Sequence, residues 1–423
     1  MIDIVKLLNE EKGLDGYRIN WVRRESYELF FVHESLETVR ATDTDTVQVT
    51  VYRDHDGKRG QASFKLYAST TEDGARQKIA SALRQAEMIN NEYFELPEGE
   101  PFRGEIESNI KDYEPRALAA EMARAVFSAN MLERGSVNAL EVFINKMTVT
   151  VQNSRGLDKR EVKYNAMIEA IPTWTEGESV ELYEAIRTGE FDFEQIKSEI
   201  SAKMREVRDR GRAKAPERKL SCKVMLPKEE LSQLIGELTS GLNYADVYSH
   251  SNPYTEGDPV QKEPKGDKIS VTLRGAVKGS VASALFDDDG GSLIDTEVIR
   301  DGMAVSYYGA HRFAQYLSKP ATGNLPCTEV KLGTLSDEEL KSKPYLEVVS
   351  MSGLQTDVYS DYLGGEVRLA YYHSGDEITP ITGISIAGKL SEALDSIRLS
   401  DTAGQTGRYL GPKLALIDGM EIL

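Results

Sequence analysis

Cysteine is nearly absent. Cys222 and Cys327 are the only two in 423 residues. That is too few for a disulfide-stapled scaffold and fits a reducing compartment. Neither has a histidine near it in sequence, so nothing points to a thiol nucleophile with its base. Histidine is scarce as well: there are five, and none lies between Asp56 and Ser249. Long apolar runs are missing, and none approaches the ~18 residues of a membrane span. Nor is there a surplus of base. Fifty-one Lys and Arg stand against 69 Asp and Glu, a formal net charge of −18. Wrapping a nucleic-acid backbone takes a basic surface, and so does holding an anionic membrane. Neither partner is expected. The acidic surface names no ligand by itself, because net charge away from zero is an ordinary route to solubility. The opening residues, Met1-Ile-Asp-Ile-Val-Lys-Leu-Leu-Asn-Glu-Glu-Lys12, read as an amphipathic helix and not as a signal peptide. A soluble, cytoplasmic chain is the expectation.

What is present predicts an α+β protein in two parts. The length is enough for two or more domains, and 40% hydrophobic residues suffice for ordinary cores. Strands are predicted over 27–32, 46–52 and 61–67. The second alternates strictly between apolar and polar residues, so one face is buried. Asp54-His55-Asp56-Gly57-Lys58-Arg59-Gly60 forms the turn between the last two. Helices are predicted over 72–90 and 114–134, the second ended by Gly135. Strands over 139–152 and 160–171 flank the turn Asn153-Ser-Arg-Gly156. A charged helix over 191–210 runs into Asp209-Arg-Gly-Arg-Ala-Lys-Ala-Pro-Glu-Arg-Lys219. Basic residues at a helix end, then Gly and Pro, mark an inter-domain linker. A nucleic-acid patch is the weaker reading of that run. The predicted domains are therefore 1–212, with antiparallel strands and long helices, and a β-rich 219–423.

The second part opens with a short strand over 222–226 and a helix over 227–242. Pro227 suits a first helical position, and Glu229 and Glu230 fall where the helix dipole favours anions. Leu231, Leu234, Ile235, Leu238 and Leu242 recur at helical spacing and predict one buried face. The same helix carries Gly236-Glu237-Leu-Thr-Ser-Gly241. Further on come Phe286-Asp-Asp-Asp-Gly-Gly291, a strand–turn–strand through Gly302, and Thr322-Gly323-Asn324. They are followed by Met351-Ser-Gly-Leu354, Gly383-Ile-Ser-Ile-Ala-Gly388-Lys-Leu390, Tyr409-Leu-Gly-Pro412 and Asp418-Gly-Met-Glu-Ile422.

In their order and spacing these segments resemble the TldD/PmbA family of peptidases, also called modulators of DNA gyrase. The ending is similar to the PmbA, or TldE, branch. The resemblance covers most of the chain. It is strongest over 286–324 and 383–422, and weaker before residue 200. It implies a barrel-like C-terminal domain. It also implies what the 227–242 helix should carry. Active members have His-Glu-x-x-x-His there, with two histidines as metal ligands and the glutamate as general base. The first ligand position falls on Gly236, the glutamate on Glu237 and the second ligand on Gly241. Glycine has no side chain to offer a metal. The family's further cysteine ligand falls in Ser400-Asp-Thr-Ala-Gly-Gln-Thr-Gly407, which has no cysteine.

The expectation is thus a degenerate site: no catalytic residue, no metal and no cofactor. The implied role is a non-catalytic, TldE-like subunit of a TldD-type metallopeptidase, acting in proteolysis or peptide maturation. Its partner would be a TldD-like catalytic subunit or a second copy of itself, and its substrate an unfolded peptide. Two alternatives stand beside it. One is an autonomous metallopeptidase with a relocated metal site. The other is a homodimer that binds peptide without cutting it.

The other candidate groups read as structural. His33-Glu34 begins like a zinc motif but ends an apolar strand and has no second histidine nearby. His55 sits in a turn. His250, with Asp246 or Asp258, is the first choice for a relocated site. His311 and His373 read as surface or loop residues. Asp287, Asp288 and Asp289 lack the spacing of a calcium loop and read as a turn between strands.

Overall fold

The computed structural model describes residues 2–423. They form three sheets. The first comprises β1 (Gly16–Val32), β2 (Ser35–His55), β3 (Lys58–Leu66), β4 (Asn91–Glu92), β5 (Phe102–Glu105), β6 (Gly135–Asn153), β7 (Asp158–Glu176), β8 (Glu178–Glu181) and β9 (Glu184–Thr188). Its order is β4-β3-β2-β1-β6-β7-β5, with β8 and β9 beside β7. The long pairs β1–β2, β1–β6 and β6–β7 are antiparallel. One face is covered by α1 (Ile4–Glu10), α2 (Glu72–Ala86), α3 (Pro115–Phe127) and α4 (Phe193–Arg212). Tyr17, Ile19 and Leu29 of β1 point into that face, under Ile79, Leu118, Met122, Ile196 and Ile200.

The expected elements are present, but several bounds differ. β1 begins at Gly16 and β2 runs 21 residues from Ser35. The stretch 35–46 is rich in Thr and Asp and almost wholly exposed, so it carries no apolar alternation to read. α3 stops at Phe127, short of the expected 134. Asn130 accepts the Leu132 N–H, and Leu132 and Arg134 take positive φ. The chain reverses there, and Gly135 opens β6 instead of merely ending a helix. Residues 268–281 alternate apolar and polar side chains in places, yet only Val271–Arg274 is a strand. The following residues turn on Ser283, whose hydroxyl accepts the Val277 N–H and donates to its carbonyl.

The second sheet comprises β10 (Lys223–Pro227), β15 (Tyr345–Met351), β16 (Gln355–Asp357), β17 (Tyr362–Ser374), β18 (Glu377–Ile381), β19 (Ile384–Lys389), β20 (Arg398–Leu399), β23 (Leu414–Ile417) and β24 (Glu421–Ile422). The third comprises β11 (Val271–Arg274), β12 (Thr296–Arg300), β13 (Met303–Ala304), β14 (Cys327–Val330), β21 (Ala403–Thr406) and β22 (Tyr409–Pro412). The α+β class is as expected. The barrel is not: neither sheet closes on itself, and each ends on free edges, β20 and β24 in one, β13 and β21 in the other. The two sheets share one core instead. Val224, Leu226, Leu346, Leu363 and Ile386 of the second meet Val271, Leu273, Val298 and Val330 of the third. The helix α5 (Lys228–Ser240) packs into the same core. Shorter helices follow: α6 (Tyr244–Tyr248), α7 (His311–Tyr316), α8 (Asp337–Leu340) and α9 (Leu390–Ser396). No helix among the described residues is long and apolar enough to cross a membrane.

The early and late chain meet at several places, among them the Glu95–Gln315 pair, where the Gln315 side-chain amide donates to the Glu95 carbonyl at 2.9 Å. α4 reaches β17, where the Tyr371 hydroxyl donates to Asp209 at 2.6 Å. The 286–291 turn sits on the face of the first sheet opposite its helices. There Phe286 packs on Val151 and Leu157, and Asn20 donates to the Asp288 carbonyl at 2.7 Å.

Candidate functional site

α5 begins one residue after the predicted start. Pro227 is its cap residue, and its ring offers no acceptor for the free N–H groups of the first turn. Leu231, Leu234, Ile235 and Leu238 are buried as their spacing predicts, and Gln233, Glu237 and Ser240 lie on the exposed side. The helix is regular through Gly236 and ends at Gly241, its C-cap. Positions 236 and 241 are therefore roughly 140° apart about the axis, given 3.6 residues per turn. They do not converge on one point.

The two glycines differ in surroundings. A Cβ on Gly236 would meet nothing within 4 Å. A Cβ on Gly241 would overlap Cδ of Pro253 and lie 2.8 Å from its Cγ. The loop after α6 thus occupies the space in which a second ligand's side chain would begin. Glu237 is exposed. The segment 400–407 does come to α5, but at the other end: Lys228 Nζ donates to the Gln405 carbonyl at 2.9 Å. Ser400 is fully buried and donates to Asp337.

The relocated site is not assembled. His250 is exposed, with φ of 58°. Asp246 accepts from Ser251 Oγ at 3.1 Å, and Asp258 accepts from the Thr255 N–H and hydroxyl. Among the described residues, no group of three or more His, Cys, Asp or Glu is placed to hold a metal.

The remaining histidines serve the fold. His33 and Glu34 form the two-residue tip between β1 and β2. His55 ends β2 and is half-buried, with Nε2 3.1 Å from the Ile89 carbonyl; it is not in the turn itself. The expectation of surface or loop positions fails for the last two, which lie in a helix and a strand. His311 starts α7 and is half-buried beside Arg18, Asp289 and Arg312, where burial lowers its pKa against the pull of Asp287. His373 is buried on β17, stacked on Tyr345 with ring centroids 4.2 Å apart and bonded to Glu347 at 2.7 Å. Burial pushes the Cys222 thiol up to about 11, and Cys327 is buried against Ser280 and Ser283.

Asp287 is a turn residue, as its spacing suggests, and the structure shows what the turn does. Its Oδ1 accepts from the N–H groups of Asp289 and Gly291 at 3.1 and 2.7 Å. Its Oδ2 accepts from the Asn324 N–H at 3.2 Å. One buried carboxylate ties 286–291 to 322–324. Burial raises its pKa while those N–H groups lower it. Asp289 pairs with Arg18 across to the first sheet.

One cluster was not anticipated. Glu230, in the first turn of α5, is buried with Glu206 of α4. Lys203 lies between Glu206 and Glu184, and Glu199 is close by. The signal was present in the spacing. Glu230 stands in register with Leu234 and Leu238, on the buried stripe. Glu199, Lys203 and Glu206 interleave with Ile196, Ile200, Met204 and Val207.

Comparison with known proteins bears on the late chain first. Residues 219–423 match the family model of the PmbA/TldA metallopeptidase C-terminal domain. Over these residues the chain belongs to the TldD/PmbA family. Solved structures of similar fold extend over nearly the whole length. A protein described as a modulator of a DNA gyrase from Thermotoga maritima shares 16% identity, covers 99% of this chain and 98% of its own, and gives a TM-score of 0.77. A modulator of DNA gyrase from Bacteroides thetaiotaomicron gives 12%, 99%, 97% and 0.80. TldE from Thermococcus kodakarensis gives 14%, 99%, 99% and 0.79. At these identities the likeness is one of fold. No curated protein matches the chain by sequence.

Proposed function

We propose that this family member is a non-catalytic, TldE-like subunit. It would pair with a TldD-like relative that keeps His-Glu-x-x-x-His, and help enclose an unfolded peptide for cleavage or maturation. The observation that carries this reading is the state of α5. The two positions that the resemblance aligns with the family's ligands, 236 and 241, are glycines. One faces open space, and the other is closed by Pro253. A catalytic zinc site needs three protein ligands and an open position. Glu237 could act as general base only on water activated by a Lewis acid held elsewhere, in the partner. The similarity in fold to TldE of Thermococcus kodakarensis is consistent with this role.

The test is co-purification with the nearest ligand-bearing relative, followed by sedimentation of each chain alone and of the mixture. A stable one-to-one complex supports the reading. A homodimer that ignores the relative refutes it and favours the second copy as partner.

A further inference from the structure

Glu230 is 5% exposed and stands where two halves of the chain meet. Its own helix, α5, belongs to the late chain. The helix across from it, α4, belongs to the early chain. Its Oε2 has no hydrogen-bond partner. A buried, ionised carboxylate without a partner is costly, so its neighbours decide its state.

Those neighbours leave no cation for it. Lys203 of α4 is the positive charge that acts on it, but its Nζ is held by Glu206 at 2.6 Å and by Glu184 of β9 at 2.9 Å. These two carboxylates, set against burial, raise the pKa of Lys203, which therefore stays charged. Lys228 of α5 turns to the Gln405 carbonyl and to Glu229 at 3.5 Å. Tyr409 of β22 gives its hydroxyl to the Pro412 carbonyl. What faces Glu230 is therefore Glu206 from α4 and Glu229 from its own turn, with Lys203 already shared. Glu199 of α4 is half-buried in the same cluster, and burial raises its pKa too.

We propose that Glu230 is a proton-operated latch between α4 and α5. Protonated, it is a neutral side chain that its buried position between the two helices accommodates. Ionised, it is an uncompensated charge opposite Glu206, and the seam loosens. Burial, with Glu229 and Glu206 adding to it and Lys203 opposing, places its titration at about 7. The ordinary value is 4.5. The closed seam thus binds the proton more tightly than the open one. By linkage, closure is favoured at low pH and is lost as pH rises from about 4.5 through about 7. The inference concerns this chain's own packing and stands whether or not it pairs with a catalytic relative.

The test is amide hydrogen exchange on the full chain at pH 5.0 and 8.5, corrected for the intrinsic pH dependence of exchange. Peptides from 193–212 and 228–240 should lose tenfold or more of their protection at the higher pH. Peptides from β1 and β6 should not. Glu230→Gln should remove the difference, and Glu229→Gln should keep it. Should Glu230→Gln fail to fold, Glu206→Gln serves. It removes the facing charge and frees Lys203, so the loss of protection should end at a lower pH. Equal protection of the seam at both pH values in the wild-type protein would overturn the latch. So would a full pH effect in Glu230→Gln, or an unmoved transition in Glu206→Gln.

Discussion

Gly241 and Pro253 are in such close contact that a Cβ on the glycine would overlap the proline Cδ. Gly236, five residues earlier on the same helix, would present its Cβ to open space. Alanine should therefore have opposite effects at the two positions. Gly236→Ala removes backbone freedom from the unfolded chain and should stabilise by ~0.5–1 kcal/mol. Gly241→Ala should destabilise by about 1–3 kcal/mol through overpacking. Denaturant unfolding of both variants against wild type measures the contrast.

Asp287 should matter out of proportion to its place in a turn. It accepts three N–H bonds and anchors 322–324 to 286–291. Asp287→Ala leaves those part-buried donors without that acceptor, at a cost on the order of 1–3 kcal/mol. Asp287→Asn keeps an acceptor oxygen and should lose less. Thermal melts of the two variants, run side by side, give the ranking.

The stability of the whole chain should show the Glu230 titration as well. Its folded-state pKa is raised, so its contribution is full below about 4.5 and disappears as pH rises through about 7. Glu230→Gln should gain on wild type between pH 4.5 and 8, by roughly 2–3 kcal/mol across that range. Urea unfolding at pH 4.5, 6 and 8 gives the slope. A difference that stays constant with pH would contradict the assignment.

Glu237 should be dispensable for folding. It is exposed on α5, and surface substitutions of this kind stay within about ±0.5 kcal/mol. Glu237→Gln should also leave peptide cleavage by a mixture with the catalytic relative unchanged, because on the proposed reading the relative's own His-Glu-x-x-x-His supplies both the metal ligands and the base. A large loss of cleavage in the mixture would give Glu237 a role across the interface.

Much of this was legible in the sequence, for physical reasons. The α5 stripe could be read because four leucines and isoleucines repeat at helical spacing on a half-buried helix. β2 could be read over 46–52, where Val47, Val49 and Val51 alternate into the core. Its outer half could not, because residues 35–46 are exposed on both faces and nothing selects one side. The α3 end was misjudged because Gly135 is a stop signal for a helix and equally a good first residue after a left-handed turn. The open sheets replaced a barrel because closure depends on which strand edges meet, and spacing along the chain does not encode that. At the site, the lack of histidine and cysteine on α5 was visible directly. The obstruction by Pro253 was not, since it depends on a loop that folds back from beyond α6. His373 looked like a surface residue because its partners, Tyr345 and Glu347, lie nearly thirty residues away on β15.

The central claim is that this chain supports cleavage by a partner and does not cleave by itself. The most direct measurement is hydrolysis of an unfolded peptide, with metal content determined in parallel. Both are run for the chain alone, for its nearest His-Glu-x-x-x-His-bearing relative alone, and for the two mixed. The account predicts no bound metal and no cleavage by the chain alone, and faster cleavage in the mixture than by the relative alone. About one metal per chain, with chelator-sensitive cleavage by the chain alone, would contradict it.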